Sequence, residues 1–185
     1  MAGRVAFFMS ETTLILNASA IERALTRISH EIAERNDLSA EVTLVGIQRG
    51  GVHLAQRLAT ILAGIWRHAV PMGCLDVSMH RDDLGQHITP DVHPTMIPFD
   101  INSKTVVIVD DVLFRGRTVR AAMDALNDFG RPKKIQLAVL VDRGHRELPI
   151  KADFVGKNVP TSLNENVRVQ LKEAGGTDEV CLEKI

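Results

Sequence analysis

The chain has 185 residues, of which 45% are apolar and 24% are charged. A chain of this size and composition can bury a hydrophobic core without disulfides, which argues against extensive disorder and predicts a single domain over 1–185. The net charge of −1 excludes nucleic-acid binding through bulk charge, so any RNA contact needs a local basic face.

No segment of the sequence indicates export or membrane insertion. The apolar run at 5–9 is too short for a signal-peptide core, and no stretch approaches the roughly 18 apolar residues of a membrane span. Cys74 and Cys181 lie far apart and have no metal-ligand spacing. We therefore expect a cytoplasmic protein with free thiols and no membrane contact.

The first half of the chain predicts two helices and two strands. Apolar residues recur at helical spacing to about Arg35, after two competing N-caps, Asn17 and Ser19. A buried strand at 42–47 precedes a helix at 52–63, and 73–79 is a further strand candidate. The polar stretch 81–98 has little buried-face pattern, which is typical of a functional loop.

The second half predicts a strand–helix–strand unit. The β-branched run 106–109 is typical of a strand buried on both faces, and a turn at 110–116, a helix at 117–129 and a strand at 135–141 follow. A last strand is expected near 167–171. This order predicts an α/β fold, in which ligands bind at the carboxyl ends of the strands, here 48–51 and 110–116.

The residue types of the 110–118 segment suit a ribose phosphate. Asp110 and Asp111 can accept hydrogen bonds from vicinal hydroxyls or bind hydrated Mg²⁺ beside phosphates. Gly116 lets the backbone approach a phosphate, Thr118 offers a hydroxyl, and the following helix N-terminus favours an anion.

Other interpretations of the carboxylate pair are weaker. A lone Asp-Asp pair is commonly a solvated strand end, but here the strand, the glycine and the helix are in register with it. Neither the P-loop spacing of nucleotide triphosphatases nor a dinucleotide fingerprint is present. A phosphoacceptor receiver domain needs acidic residues after an earlier strand as well, and none follows 42–47.

The segment 106–118 resembles the phosphoribosyl pyrophosphate (PRPP) motif of type I phosphoribosyltransferases. Segments 81–84, 130–132, 135–150 and 154–162 resemble one branch of them, the bifunctional pyrimidine-operon regulators and uracil phosphoribosyltransferases. The similarity covers about 14–171. It implies an α/β type I phosphoribosyltransferase fold, with a parallel core sheet flanked by helices and a small hood.

The resemblance also implies a reaction and its site. Uracil and PRPP would give UMP and pyrophosphate with Mg²⁺, which PRPP would carry near Asp110 and Asp111 without direct protein ligands. Arg81 would act with these carboxylates and begin a mobile loop, 81–98, that closes over PRPP. Arg143 and Val167 would lie near the base, and Gln48, Arg49 and Gly50 would form the pyrophosphate loop. The residues implied in PRPP binding are Val107, Ile108, Val109, Asp110, Asp111, Val112, Leu113, Phe114, Arg115, Gly116, Arg117 and Thr118.

The same resemblance implies RNA binding. Uridine nucleotides would stimulate binding of a pyrimidine-operon leader mRNA, and the protein would be a homodimer or a larger homo-oligomer. The residues matching RNA-contacting positions are Thr26, Arg27, His30, His145, Arg146 and Lys157. From charge alone these residues would be read as a solvated helix face and loop charges.

Three residues depart from the common pattern of the family. Arg115 replaces a usual threonine, and Gly50 stands where many members carry arginine, a role that Arg49 could take. Phe114 stands where purine-salvage relatives carry an aspartate, which favours uracil. Arg115 and Gly50 leave open an alternative function, a non-enzymatic RNA-binding regulator that uses UMP and PRPP only as signals.

Overall fold

The computed structural model describes residues 12–78 and 93–184. Within these ranges no helix is long and apolar enough to cross a membrane. The regular elements, in chain order, are β1 Thr12–Asn17, α1 Ala18–Arg35, β2 Val42–Ile47, α2 Gly50–Trp66, β3 Met72–Leu75, β4 Thr105–Leu113, α3 Arg117–Leu126, β5 Lys134–Asp142, β6 Phe154–Asn158, β7 Glu165–Gln170 and β8 Glu179–Lys184.

Five strands form a parallel sheet in the order β3-β2-β4-β5-β6. Successive residues of β4 face opposite sides: Val107 and Val109 pack in the core that includes α1 and α2, and Val106 and Ile108 pack against α3. Because both faces are covered, β2 and the first half of β4 are buried throughout and apolar except for Thr43 and Thr105. The predicted parallel α/β core is confirmed.

A second, antiparallel sheet of order β1-β8-β7 forms the small hood. It joins chain segments far apart in sequence, such as Leu14 opposite Cys181 and Val167 opposite Leu182. Arg57 of α2 ties this region to the helical layer through ion pairs with Glu173 (2.5 Å) and Asp178 (2.7 Å). The sequence predicted only β7 of the hood and missed β1 and β8 as well as the edge strand β6, since short, partly exposed strands carry weak patterns.

The predicted boundaries need several corrections. Asn17 is the N-cap of α1, because its Oδ1 accepts the Ala20 N–H at 2.9 Å. β4 is longer than predicted, so that Asp110 and Asp111 lie in the strand and not in a turn. The reason is that β5 continues to Asp142 and pairs with β4 as far as Leu113. α2 is longer than predicted at both ends, whereas α3 ends at Leu126.

Candidate functional site

The site lies at the carboxyl ends of the neighbouring parallel strands β2 and β4. Because each of these strands leads into a helix, the N-termini of α2 and α3 lie on that side of the sheet. Free backbone N–H groups at a helix N-terminus favour anions. Two anion-binding backbone segments therefore lie beside the carboxylates of β4.

The two carboxylates have different surroundings. Asp110 is only 7% exposed, lines a cavity of about 220 Å³, and accepts the Asp111 N–H at 2.9 Å. Asp111 accepts the Val112 N–H at 2.7 Å, and burial raises its pKa above the ordinary value. Ionised Asp111 is therefore held at an energetic cost, which is common for groups that serve a ligand.

Gly50, the first residue of α2, contacts Asp111 directly. A Cβ built at Gly50 would overlap the carboxylate, lying 2.8 Å from its Cγ. A side chain at this position would displace the Asp111 carboxylate, so the glycine allows the close approach of α2 to Asp111. Arg49 is exposed beside it, the Gln48–Arg49 peptide is cis, and Gln48 Nε2 donates to the Pro94 oxygen at 3.5 Å.

The phosphate loop is our name for residues 113–116, which join β4 to α3. Gly116 caps α3 at a φ of 93°, a conformation in which other residues are strained. The cavity is lined by the loop and its neighbours: Asp110, Val112, Leu113, Phe114, Arg115, Gly116, Arg117, Thr118 and Val119. The structure thus brings Asp110 together with the second half of the predicted PRPP segment, while Val107, Ile108 and Val109 are core residues.

Glu147 holds both arginines of the phosphate loop region. Its carboxylate lies 3.2 Å from Arg115 Nε and 2.8 Å from Arg117 Nη2. The side chains are 38–51% exposed, so water screens these ion pairs and each contributes little to stability. Their effect is to reduce the positive charge next to the cavity. Sequence reasoning missed Glu147, although its neighbours Arg146 and His145 were noticed.

Phe114 connects the phosphate loop to Arg143. The Arg143 guanidinium lies 4.0 Å from the Phe114 ring centroid. It donates to the main-chain carbonyl oxygen of Glu165 at 2.6 Å. Burial lowers the pKa of Arg143. Val167 is only 7% exposed and packs in the hydrophobic core, so any contact with a base would have to come from its backbone.

Arg146 is engaged by the protein itself. Its guanidinium donates to the Phe114 oxygen at 2.7 Å and forms an ion pair with Asp142. The side chain of Arg146 is therefore bound to the main chain of the phosphate loop, although the sequence indicated only an RNA contact for it. His145 Nε2 lies 2.6 Å from the Thr161 oxygen, and its ring meets the Phe114 ring edge-on at 6.0 Å.

The other RNA candidates lie on α1 and β6. Thr26, Arg27 and His30 are exposed and lie outside the buried stripe of α1. Arg27 Nη2 donates to the Gly156 oxygen at 2.6 Å, which places this helix face beside the exposed Lys157. The structure thus brings the α1 residues and Lys157 to one surface.

Arg81 and positions 81–92 of the predicted loop lie outside the described residues. The chain on either side is tied to Asp76, whose carboxylate accepts the N–H groups of Ser78 (2.7 Å) and His93 (2.5 Å). Sequence reasoning did not single out Asp76, because an aspartate after a short strand carries no motif. In the described part of the chain, no group of three or more His, Cys, Asp or Glu side chains could hold a metal.

The sequence is similar to a known family and to named relatives. Residues 11–173 match the family model described as "Phosphoribosyl transferase domain". "Bifunctional protein PyrR" of Roseiflexus sp. is 62% identical over 91% of this chain and 93% of the relative. The protein of the same name from Chloroflexus aurantiacus is 58% identical over 94% of this chain and 96% of the relative.

Solved structures support the fold. The hypoxanthine phosphoribosyltransferase of Trypanosoma cruzi has a TM-score of 0.71 at 16% identity and covers 93% of this chain and 96% of its own. A hypoxanthine-guanine phosphoribosyltransferase of Bacillus anthracis has a TM-score of 0.68 at 16% identity, with 95% and 99% coverage. At these identities the likeness concerns the fold alone.

Proposed function

Because the chain belongs to the bifunctional PyrR family of phosphoribosyltransferases, we propose that it converts uracil and PRPP into UMP and pyrophosphate. It also regulates pyrimidine biosynthetic genes by binding mRNA in response to uridine nucleotides. One observation carries the enzymatic half: Gly50 of the pyrophosphate loop packs against Asp111. The groups proposed for the pyrophosphate and for the ribose hydroxyls therefore adjoin.

In this proposal each part of the site has one task. Asp110 and Asp111 accept hydrogen bonds from the ribose hydroxyls, and the phosphate loop with Thr118 binds the 5′-phosphate. Gln48, Arg49 and the N-terminus of α2 bind the pyrophosphate. Catalysis is then positioning, with electrostatic stabilisation of a cationic ribosyl centre as pyrophosphate leaves. Arg81 would act at the same centre.

The residues fit Mg²⁺ brought by the substrate. Magnesium keeps several of its waters when it binds substrate phosphates, and Asp110, which lines the cavity, and Asp111 next to it can accept hydrogen bonds from those waters. When bound, Mg²⁺ neutralises charge on the pyrophosphate. A chelator should therefore abolish turnover while leaving the fold intact, which circular dichroism would check.

Phe114 and Arg143 are proposed to define the base side of the site. The apolar ring offers no carboxylate to a purine, and Arg143 is fixed over that ring at 4.0 Å. Uracil is accordingly the proposed substrate. Competition assays with hypoxanthine and guanine would test this: either base reacting as fast as uracil would exclude the assignment.

RNA binding is proposed for the surface of α1 and β6. Arg27, His30 and Lys157 are exposed there and can supply phosphate contacts. A homodimer or larger homo-oligomer belongs to the same proposal. So does a cytoplasmic location, with which the free thiols of Cys74 and Cys181 agree.

The deciding experiment is a steady-state assay of uracil-dependent pyrophosphate release. The wild-type protein should turn over, and Asp110→Asn with Asp111→Asn should lose about 10²-fold or more, because its ribose contacts are gone. Thermal unfolding of the double variant shows whether it is folded. No uracil-dependent release by the wild-type protein would leave only the regulatory function.

A further inference from the structure

The segment 143–147, which we call the strap, follows β5 and packs on the back of the phosphate loop. It reaches three consecutive carbonyl oxygens of the loop. The hydrogen bonds are Arg143 N–H to the Leu113 oxygen at 3.0 Å, Arg146 Nη1 to the Phe114 oxygen at 2.7 Å, and Glu147 N–H to the Arg115 oxygen at 3.1 Å.

These carbonyl contacts determine where the loop's N–H groups point. In a trans peptide the C=O and the following N–H point in opposite directions, and none of these peptides is cis. Binding the carbonyls of residues 113–115 to the strap therefore aims the N–H groups of 114–116 away from it. The cavity is lined by the loop and not by the strap, so the N–H groups face the side where an anion can bind.

Of the three hydrogen bonds from the strap to the loop carbonyls, only the one from Arg146 is made by a side chain. Its side chain is 21% exposed, and all three guanidinium nitrogens are used. Besides Phe114, they reach the oxygens of Ile150 (3.0 Å), Gly144 (3.1 Å) and Leu113 (3.4 Å) and the carboxylate of Asp142. Such a set of contacts fixes a backbone more than it attracts an outside phosphate.

We propose that Arg146 is a positioning residue for the 5′-phosphate cradle: it orients the Phe114–Arg115 peptide so that its N–H is ready for the ligand. The inference rests on the proposed function for the identity of the ligand. Without Arg146 this peptide can rotate, and a displaced donor of this kind costs up to about 10²-fold. Because the cradle binds the 5′-phosphate, KM for PRPP should rise more than kcat falls, and KM for uracil should stay unchanged.

The experiment compares UMP binding by calorimetry and steady-state kinetics for wild type, Arg146→Ala and Arg146→Lys. We expect Arg146→Ala to weaken UMP binding by about 10-fold or more, and added guanidinium to restore part of it. Lysine keeps the charge but lacks the planar fork, so Arg146→Lys should also be weakened. Arg35→Ala is the matched control, since Arg35 is 55% exposed, pairs with Asp153 and does not line the cavity.

UMP binding within about twofold of wild type in a folded Arg146→Ala protein would overturn the proposal. If that variant does not fold, Arg146→Lys decides in the same way. Ribose 5-phosphate separates this inference from the enzymatic function. Arg146-dependent binding of that probe by a protein that makes no UMP would retain the positioning role and reject the activity. Normal UMP synthesis in folded Arg146 variants would retain the activity and reject the positioning role.

Discussion

Replacement of Gly50 by alanine tests whether the proposed pyrophosphate loop and the proposed ribose carboxylates form one site. The added Cβ would lie 2.8 Å from Cγ of Asp111, where ordinary contacts are 3.4–4 Å. The Asp111 carboxylate must therefore move by about 1 Å, a displacement that can cost roughly 10²-fold in rate. Movement would also disturb its hydrogen bond with the Val112 N–H.

The same helix provides a matched control. Gly64 lies in α2, and a Cβ at that position would meet nothing within 4 Å. Gly64→Ala should leave turnover unchanged and raise the free energy of unfolding by about 0.5–1 kcal/mol, since alanine is favoured over glycine inside a helix.

The measurement is kcat/KM for PRPP together with thermal unfolding of both variants. We expect Gly50→Ala to lose about 10²-fold in kcat/KM while remaining folded. Activity of Gly50→Ala equal to that of Gly64→Ala would refute the reasoning. It would mean that Asp111 can move without consequence, and hence that its carboxylate does not bind the ribose.

Three further outcomes are expected. Burial raises the pKa of Asp111, so the free energy of unfolding falls as pH rises from the ordinary aspartate pKa of about 3.9 to the raised pKa. Asp111→Asn should therefore melt at an equal or higher temperature than wild type at pH 7. A lower melting temperature would contradict the raised pKa. Glu147→Gln should strengthen UMP binding by up to about fivefold at low salt, measured by calorimetry, and high salt should erase the gain. Arg27→Ala with Lys157→Ala should weaken leader-RNA binding and lower its salt slope by slightly less than about one unit per lost phosphate contact, with UMP synthesis as the control; an unchanged slope would exclude this surface.

The sequence by itself determined the core and the location of the site. Buried strands such as β4 and amphipathic helices such as α1 have periodic patterns that tertiary contacts do not alter. The order strand–helix–strand then places 48–51 and 110–116 at neighbouring strand ends. The proposal that Gly116 belongs to a phosphate site followed from local chemistry alone, since this glycine precedes a helix N-terminus.

Only the tertiary structure decided what pairs across the chain. The hood joins β1 to β8, and such short strands are stabilised by partners remote in sequence, which no local pattern reveals. The close approach of Gly50 to the Asp111 carboxylate appears only when α2 packs beside β4. Likewise, an arginine in a polar segment looks like a surface charge, and only the fold places Arg146 against the Phe114 carbonyl. The arginine side chain determines which hydrogen bonds are possible. The fold determines which carbonyl oxygens lie close enough to accept them.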